Sequence, residues 1–486
     1  MALETPFAVI FDLGDVLLTW SSQDQPSGQG KFSSKLLHRM LSTSTWSEYE
    51  CGRLSERDCY NRLGEEHCVD PEDIASALHE ARETLRANDE LIAFIREMKG
   101  QSNQYPHIYL MTNIPAPEYD FLRAANTIDW SLFDEVFTSF SAGYRKPSLS
   151  FYQYVIAQTS MDPSCVLFID DKIDNVVCAR SLGFHGIVFE STRVLIKQLR
   201  NKCGNPVERG LQYLRSNAKR LYSMTNAGNV VYENFALLLI REATGDSSVA
   251  SFTTPRRTWN FFNNDNNANF HSVPDDLDTT ALAFSVVDSN PAILHAVLDE
   301  MLEYVNQDGI IQIYYDYTRP RIDPCACANT LTLFYKNGRG HELPGTLDWV
   351  HKVLLHRAYV DGTRYYATPE CFLYFVERLL SSSKDAELHG RLATLFKVRV
   401  EERIGAAGDP LMLAMRITAC AVAGVYDAVD LRTLLTLQCD DGGWEIGWMY
   451  TIPSTKEKIG NRGLSTAMAL QAISSSLASL RIQSSA

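Results

Sequence analysis

Over the first 200 residues the apolar positions fall in short unbroken runs, at 8–11, 107–111, 166–169 and 186–189, each ending in polar residues. Continuous apolar runs of this length, separated by helical patterns, predict a parallel sheet covered on both faces, with its loops gathered at the strand C-termini. Between the first two runs, residues 31–99 carry only helical patterning. Asp70-Pro71 there sets a capping side chain before a proline at the first helical position, so a helical cap inserted over about residues 25–100 is predicted. From about residue 205 the strand signals fade. Asn290-Pro291, Asp323-Pro324, Thr368-Pro369 and Asp409-Pro410 each open an apolar-periodic run, which predicts layered antiparallel helices. After Pro291, the residues Ile293, Leu294, Val297, Leu298, Met301, Leu302 and Val305 mark one face. The Asn-rich stretch 260–269 is predicted to be a loop. The pattern predicts two domains: α/β over residues 1–200, all-α over 205–486.

Composition narrows the function classes. At 45% hydrophobic and 21% charged, 486 residues supply several cores and no case for disorder. Lys+Arg 45 against Asp+Glu 59 leaves a net charge of −14, a field that repels a phosphate backbone, so nucleic acid is not an expected partner. The 11 cysteines show no CxxC spacing, and reduced thiols in a cytoplasmic protein are expected. No basic leader precedes the first strand, so no secretory signal is expected. The uncharged stretch 463–480 contains Gln471 and six serines or threonines, which predicts a buried helix and not a membrane span.

The strand ends of the first half carry chemistry. Asp12 lies one residue past an apolar run and is followed by Gly14; Thr112 ends the second run; Lys146 stands in Tyr144-Arg145-Lys146-Pro147; Asp170-Asp171 end a further run. A carboxylate nucleophile, a hydroxyl and an ammonium for a phosphoryl group, and a carboxylate pair for Mg²⁺ make a complete phosphoryl-transfer set. In order and spacing these stretches resemble the haloacid dehalogenase (HAD) superfamily over roughly residues 5–195. The resemblance implies that Asp12 is the nucleophile and a Mg²⁺ ligand, that Thr112 and Lys146 bind phosphate, and that Asp170, Asp171 and the Gly14 carbonyl complete the metal site. One departure matters: Gly14 stands where phosphatases of the superfamily usually carry a second Asp that protonates the leaving group. Asp15 is one residue too far along to replace it. The string Asp170-Asp171-Lys172-Ile173-Asp174 also reads as the DDxxD motif of ionisation-type terpene synthases, but it directly follows a strand, whereas that motif sits on a helix.

In the second half the sharpest feature is Asp276-Leu277-Asp278-Thr279-Thr280, entering the apolar run 281–287. A D-x-D-T-T string arises by chance in about one such chain in a few hundred. Read alone it is equally a helix N-terminus enriched in capping residues. It resembles the acid motif of protonation-initiated (class II) terpene cyclases, and Gln438-Cys439-Asp440-Asp441-Gly442-Gly443-Trp444 resembles the QxxxGGW repeat of the same α/α-barrel family, over roughly residues 210–480. A HAD-like domain fused before one such barrel is similar to the drimane-type sesquiterpene cyclases. An alkene is a very weak base, so protonating it requires a carboxylic acid kept neutral in a dry pocket and polarised by a neighbour. The resemblance implies Asp278 as that acid and Asp276 as its partner. Trp444 belongs to the aromatic residues, with Trp259, Phe261, Tyr314, Tyr365, Tyr366 and Tyr450, expected to face a carbocation. Lys458, Arg462 and the Arg256-Arg257 pair are candidates for a diphosphate, and His271 for a hydrogen bond to the acid.

The resemblance implies a cyclase that converts farnesyl diphosphate to a bicyclic drimane-type diphosphate, with partial dephosphorylation by the HAD-like half or by a separate phosphatase acting downstream. The alternative is a HAD-type phosphatase of isoprenoid or other small phosphates whose helical half is only a binding scaffold.

Overall fold

The structure, a computed structural model, describes residues 8–20, 34–100, 107–250, 257–263 and 273–484. Arg256, His271 and residues 264–269 of the Asn-rich stretch lie outside the described residues. The chain divides between Gly204 and Asn205 into two compact units.

The first unit contains strands β1 (Ala8–Phe11), β2 (Leu18–Trp20), β3 (Leu85–Ala87), β4 (His107–Thr112), β5 (Glu135–Thr138), β6 (Val166–Asp170) and β7 (His185–Val188). Five of them form a parallel sheet in the order β5-β4-β1-β6-β7. The period-two alternation of the strands divides the core. Val9, Phe11, Ile108, Leu110, Leu167 and Ile169 face the helices Asp89–Gly100 and Thr192–Cys203, while Ala8, Ile10, Met111, Val166 and Phe168 face Leu149–Thr159 and Ile173–Ser181. With β4 on one side of β1 and β6 on the other, the chain reverses its direction of winding at β1, where parallel sheets open a crevice at the strand C-termini.

The cap departs from the pattern reading in two ways. The cap is not wholly helical: β2 and β3 pair antiparallel at its stem, Leu18 opposite Ala87. It is also shorter than expected. Its own core of Met40, Trp46, Tyr49, Cys59, Tyr60, Leu63, Ile74 and Leu78 ends with the helix Pro71–Glu83, and Asp89–Gly100 buries Leu91 and Ile95 against the sheet instead.

In the second unit six helices close a ring. Phe235–Thr244 packs on Leu277–Val286, then in turn come Pro324–Lys336, Pro369–Ser382, Pro410–Val422 and Arg462–Ser484, which returns to Phe235–Thr244. Pro324–Lys336, Pro369–Ser382 and Pro410–Val422 are buried nearly all round, as inner helices must be. Shorter-striped helices cover the ring, among them Pro206–Ser216, Pro344–Leu355 and Ala428–Thr436. All four proline-led helices form; Asn290, Asp323 and Asp409 cap theirs by side-chain hydrogen bonds, and Thr368 does not. Outside the ring, Pro291–Leu302 buries only Val297, Leu298 and Met301, leaving Ile293 exposed. A small antiparallel sheet, absent from the pattern reading, joins β8 (Ser223–Thr225), β9 (Val230–Val231), β10 (Trp448–Thr451) and β11 (Lys458–Gly460) in the order β10-β11-β8-β9.

Candidate active sites

At the tip of β1 in the first unit, Asp12 is buried and its Oδ1 accepts the Leu13 N–H at 2.7 Å. Lys146, 1% exposed, places Nζ 2.8 Å from Asp12 Oδ1 and 2.6 Å from Asp170 Oδ2. The loop that carries it is clamped by Asn113, which accepts the Lys146 N–H and donates to the Lys146 carbonyl, each at 2.8 Å. Thr112 is buried at the end of β4. Asp170 ends β6 and accepts from the Lys172 N–H at 2.9 Å and Asn175 Nδ2 at 2.8 Å. The helix begins only at Ile173, so Asp170–Asp174 straddles a strand end, as its position after an apolar run requires.

The carboxylates of Asp12, Asp170 and Asp171 bring ligand oxygens within 4.8 Å of one another. Asp171 Oδ1 is buried with no hydrogen-bond partner. Burial raises Asp12 against the opposing pull of Lys146, and raises Asp171 against Lys172. Burial alone would lower Lys146, but the two carboxylates hold its ammonium above the usual value. At Gly14 a Cβ would meet no heavy atom within 4 Å, and Asp15 beside it has φ +56°.

In the second unit Asp276 and Asp278 divide the two readings of their motif between them. Asp276 is the N-cap of Leu277–Val286: Oδ1 accepts the Thr279 N–H at 2.6 Å, and Oδ2 accepts Thr279 Oγ1 at 3.0 Å and the Phe261 N–H at 2.9 Å. Asp278 takes no part in capping. Its Oδ1 accepts from Asn329 Nδ2 at 2.7 Å, and its Oδ2 lies 2.5 Å from the Tyr366 hydroxyl. Burial pushes both carboxyls up. Asp276 rises to about 8, helped by the charge of Asp278, while Tyr366 and Asn329 limit Asp278 to about 6. Asp278 is thus the stronger acid of the pair, yet it still holds a proton far above the ordinary range of an aspartate.

Aromatic rings adjoin Asp278. Tyr366 meets Phe375 at 5.2 Å and Tyr450 at 5.8 Å between centroids; Phe261 meets Tyr450 at 5.0 Å, and Phe235 lies against all four. Tyr314 and Tyr365 share a hydroxyl contact of 3.2 Å, and Tyr314 also bridges the backbone of Asp276.

Other expected substrate contacts are placed elsewhere. Trp444 is fully buried, its indole N–H donating to the Leu434 carbonyl at 2.7 Å, and Gln438 donates to the Pro206 carbonyl, so this motif joins covering helices to the ring. Arg462 forms a two-point ion pair with Asp441 at 2.8 and 3.0 Å and stacks over Tyr213. Both therefore have partners within the helical unit. Arg257 pairs with Glu300. Lys458 is exposed on β11. Pattern reasoning missed Asn329, Phe235, Phe375 and the clamp Asn113. Asn329 had a faint signal, as an amide directly after the small and apolar residues that open the helix Pro324–Lys336.

The sesquiterpene cyclase astC-like C-terminal domain family matches residues 207–337. Drimenol cyclase drtB of Aspergillus calidoustus is 41% identical over 469 residues, covering 96% of this chain and 88% of that protein. The sesquiterpene phosphatase astK of Aspergillus oryzae is 34% identical over 197 residues, 40% of this chain and 96% of its own. Among solved structures, the type II terpene cyclase MstE from Scytonema aligns with 57% of this chain and 98% of its own at 11% identity and a TM-score of 0.41. Among the described residues no helix is long and apolar enough to cross a membrane. With two-fifths identity along nearly the whole of both sequences, this chain belongs to the drimane-type sesquiterpene cyclases that join a HAD-like domain to a terpene cyclase domain.

Proposed function

We propose that the helical unit uses Asp278 to protonate the distal alkene of farnesyl diphosphate. The observation that carries this reading is a buried, proton-retaining carboxyl held between Tyr366 and Asn329 beside a group of aromatic rings. Proton transfer from Asp278 creates a tertiary carbocation; the neighbouring alkenes attack it in turn to close two rings, and loss of a proton ends the sequence. The carboxylate left on Asp278 is stabilised by the two donors already in place, the Tyr366 hydroxyl and the Asn329 amide. Asp276, kept neutral by burial, caps the helix without setting a second negative charge beside the acid. The rings of Tyr366, Tyr450, Phe261, Phe235 and Phe375 exclude water and offer π faces to the cation. Because the chemistry begins at the far end of the isoprenoid, the diphosphate survives cyclisation. Lys458 is a candidate for holding it.

The HAD-like unit then removes phosphate, with Asp12 as the attacking carboxylate and Lys146 and Thr112 holding the phosphoryl oxygens. The clustered carboxylates and the orphaned Asp171 Oδ1 fit a hard divalent cation, and Asp12, Asp170, Asp171 and the Gly14 carbonyl would hold Mg²⁺. When bound, Mg²⁺ supplies charge neutralisation for the phosphoryl group. Without an acid at Gly14, attack of Asp12 on the terminal phosphorus of the diphosphate, which expels the alkyl monophosphate, is easier than attack on the monophosphate, which expels an alkoxide, so the direct product is a cyclic diphosphate or monophosphate. The name of the drimenol cyclase relative supports a drimane skeleton, and that of the astK relative supports phosphate removal. The test is incubation with farnesyl diphosphate and Mg²⁺, followed by product analysis with and without added phosphatase. Absence of any bicyclic skeleton after phosphatase treatment would refute the reading.

A further inference from the structure

Asn329, whose amide holds Asp278, is itself held from behind. Arg378 Nη1 donates to Asn329 Oδ1, and the other edge of the guanidinium, Nε and Nη2, donates to both oxygens of Glu242 at 2.8 and 2.7 Å. The four side chains come from four consecutive helices of the ring: Glu242 from Phe235–Thr244, Asp278 from Leu277–Val286, Asn329 from Pro324–Lys336 and Arg378 from Pro369–Ser382. The Arg378 side chain is 6% exposed, and that of Glu242, at the outer end, 31%.

A guanidinium has donors only, so the Asn329 atom that faces it has to be the carbonyl oxygen, and the NH₂ group is left for Asp278. An amide free to turn would also offer its oxygen to Asp278 and accept a hydrogen bond from the acid O–H, turning the proton away from the substrate. A guanidinium buried between apolar helices is a costly way to fill space that aliphatic side chains fill as well. We propose that Arg378 and Glu242 are positioning residues for cyclisation. Glu242 orients and neutralises Arg378, Arg378 locks the Asn329 amide, and the locked amide holds Asp278 in the orientation and acidity that proton transfer needs. The inference rests on Asp278 being the acid.

The titratable and charged groups facing Asp278 are Asp276 from its own cap, kept neutral by burial, Asp323 from the cap of Pro324–Lys336, and Arg378. Tyr366, Tyr450, Cys325 and Cys327 also face it but stay neutral over the working range, because burial pushes each well above its usual value. A shift in the alkaline limb of cyclisation therefore reports on the Arg378 side of the acid when only that side is altered.

The experiment compares pH profiles of cyclic product formation from farnesyl diphosphate, with melting temperatures, for the full-length protein and its Arg378→Gln, Glu242→Gln and Asp278→Asn variants. Arg378→Gln is expected to lower kcat about ten- to a hundred-fold with KM little changed, the loss typical of a buried charge-assisted hydrogen bond. It should move the alkaline limb upward by roughly one pH unit, because the Asp278 carboxylate loses an oriented donor and a nearby positive charge. Glu242→Gln leaves the guanidinium uncompensated and should move the limb downward. Folded variants that lose melting temperature but keep the wild-type limb would overturn the inference and leave the pair a packing element. Should Arg378→Gln not fold, the sign of the shift in Glu242→Gln, altered at the more exposed end, decides alone. A wild-type protein that fails to cyclise, or an Asp278→Asn protein that cyclises normally, would overturn the assignment of the acid instead.

Discussion

Replacing one oxygen of Asp278 with nitrogen preserves its size and most of its contacts with Asn329 and Tyr366 but removes the transferable proton. Asp278→Asn should therefore lower cyclisation about a thousand-fold or more while the melting temperature stays close to wild type; a folded variant with normal turnover would free the motif of its catalytic role. The pH dependence has a definite sign. With Asp278 raised to about 6 and Asp276 to about 8, the neutral acid is depleted as pH climbs from 6 towards 8, and cyclisation should fall over that range. Stability should fall with it. The folded state binds protons that the unfolded state has released above about pH 4, so this contribution is complete below that value and lost through 6 and 8; thermal melts across the range measure it. At Gly14 the backbone has room for a side chain and no left-handed φ to forbid one. Gly14→Asp should speed conversion of the cyclic monophosphate to free alcohol on the order of a hundred-fold, and an unchanged ratio of the two would show that the missing donor is not what limits release. Asp278 and Gly14 could both be singled out in the sequence, Asp278 because it sits in a short motif and Gly14 because it departs from one.

Helix starts carry their own energetics. Asp276 caps Leu277–Val286 through the Thr279 N–H, so Asp276→Ala should destabilise by about 1 kcal/mol, in addition to whatever it does to the acid. The turn before Trp444 is a sharper case. Gly442 has φ +87°, and a Cβ there would lie 2.4 Å from the Arg209 carbonyl on Pro206–Ser216. Gly442→Ala should thus cost more than about 1 kcal/mol in chemical denaturation while leaving the contacts of Asp278 untouched; an unaltered midpoint would deny this turn its role as a junction. The proline-led helices were legible because cap and first turn are local. The strands β8 to β11 were not, since each has only two to four residues and β8 pairs with β11 across more than two hundred positions. The edge strand β5 was missed because its charged first residue, Glu135, and its terminal Thr138 leave no apolar run as long as those of the other strands of its sheet.

Because the chain forms two compact units with separate cores, the two chemistries should come apart by single substitutions. Asp12→Asn is expected to abolish phosphate release while sparing cyclisation, giving a cyclic product that retains its diphosphate; phosphate assay and product analysis on the same sample decide it. Loss of both activities together would show that the units do not act independently. What the sequence determined by itself is the local chemistry of each half. Polar residues that end apolar runs of a parallel sheet gather at one edge, so Asp12, Thr112, Asp170 and Asp171 could be singled out from order and spacing, Lys146 from its place in the family resemblance, and Asp276 and Asp278 from their short motif. Tertiary structure decided which distant groups serve that chemistry. Asn329 and Tyr366 reach Asp278 from 51 and 88 residues away, and Glu242 and Arg378 meet across 136. Tertiary structure also decided the partners of Trp444 and Arg462, the Leu434 carbonyl for one and Asp441 with Tyr213 for the other. The physical reason is the same in each case: hydrogen-bond partners and burial depend on the closure of the helical ring, and no local pattern encodes which faces that closure brings together.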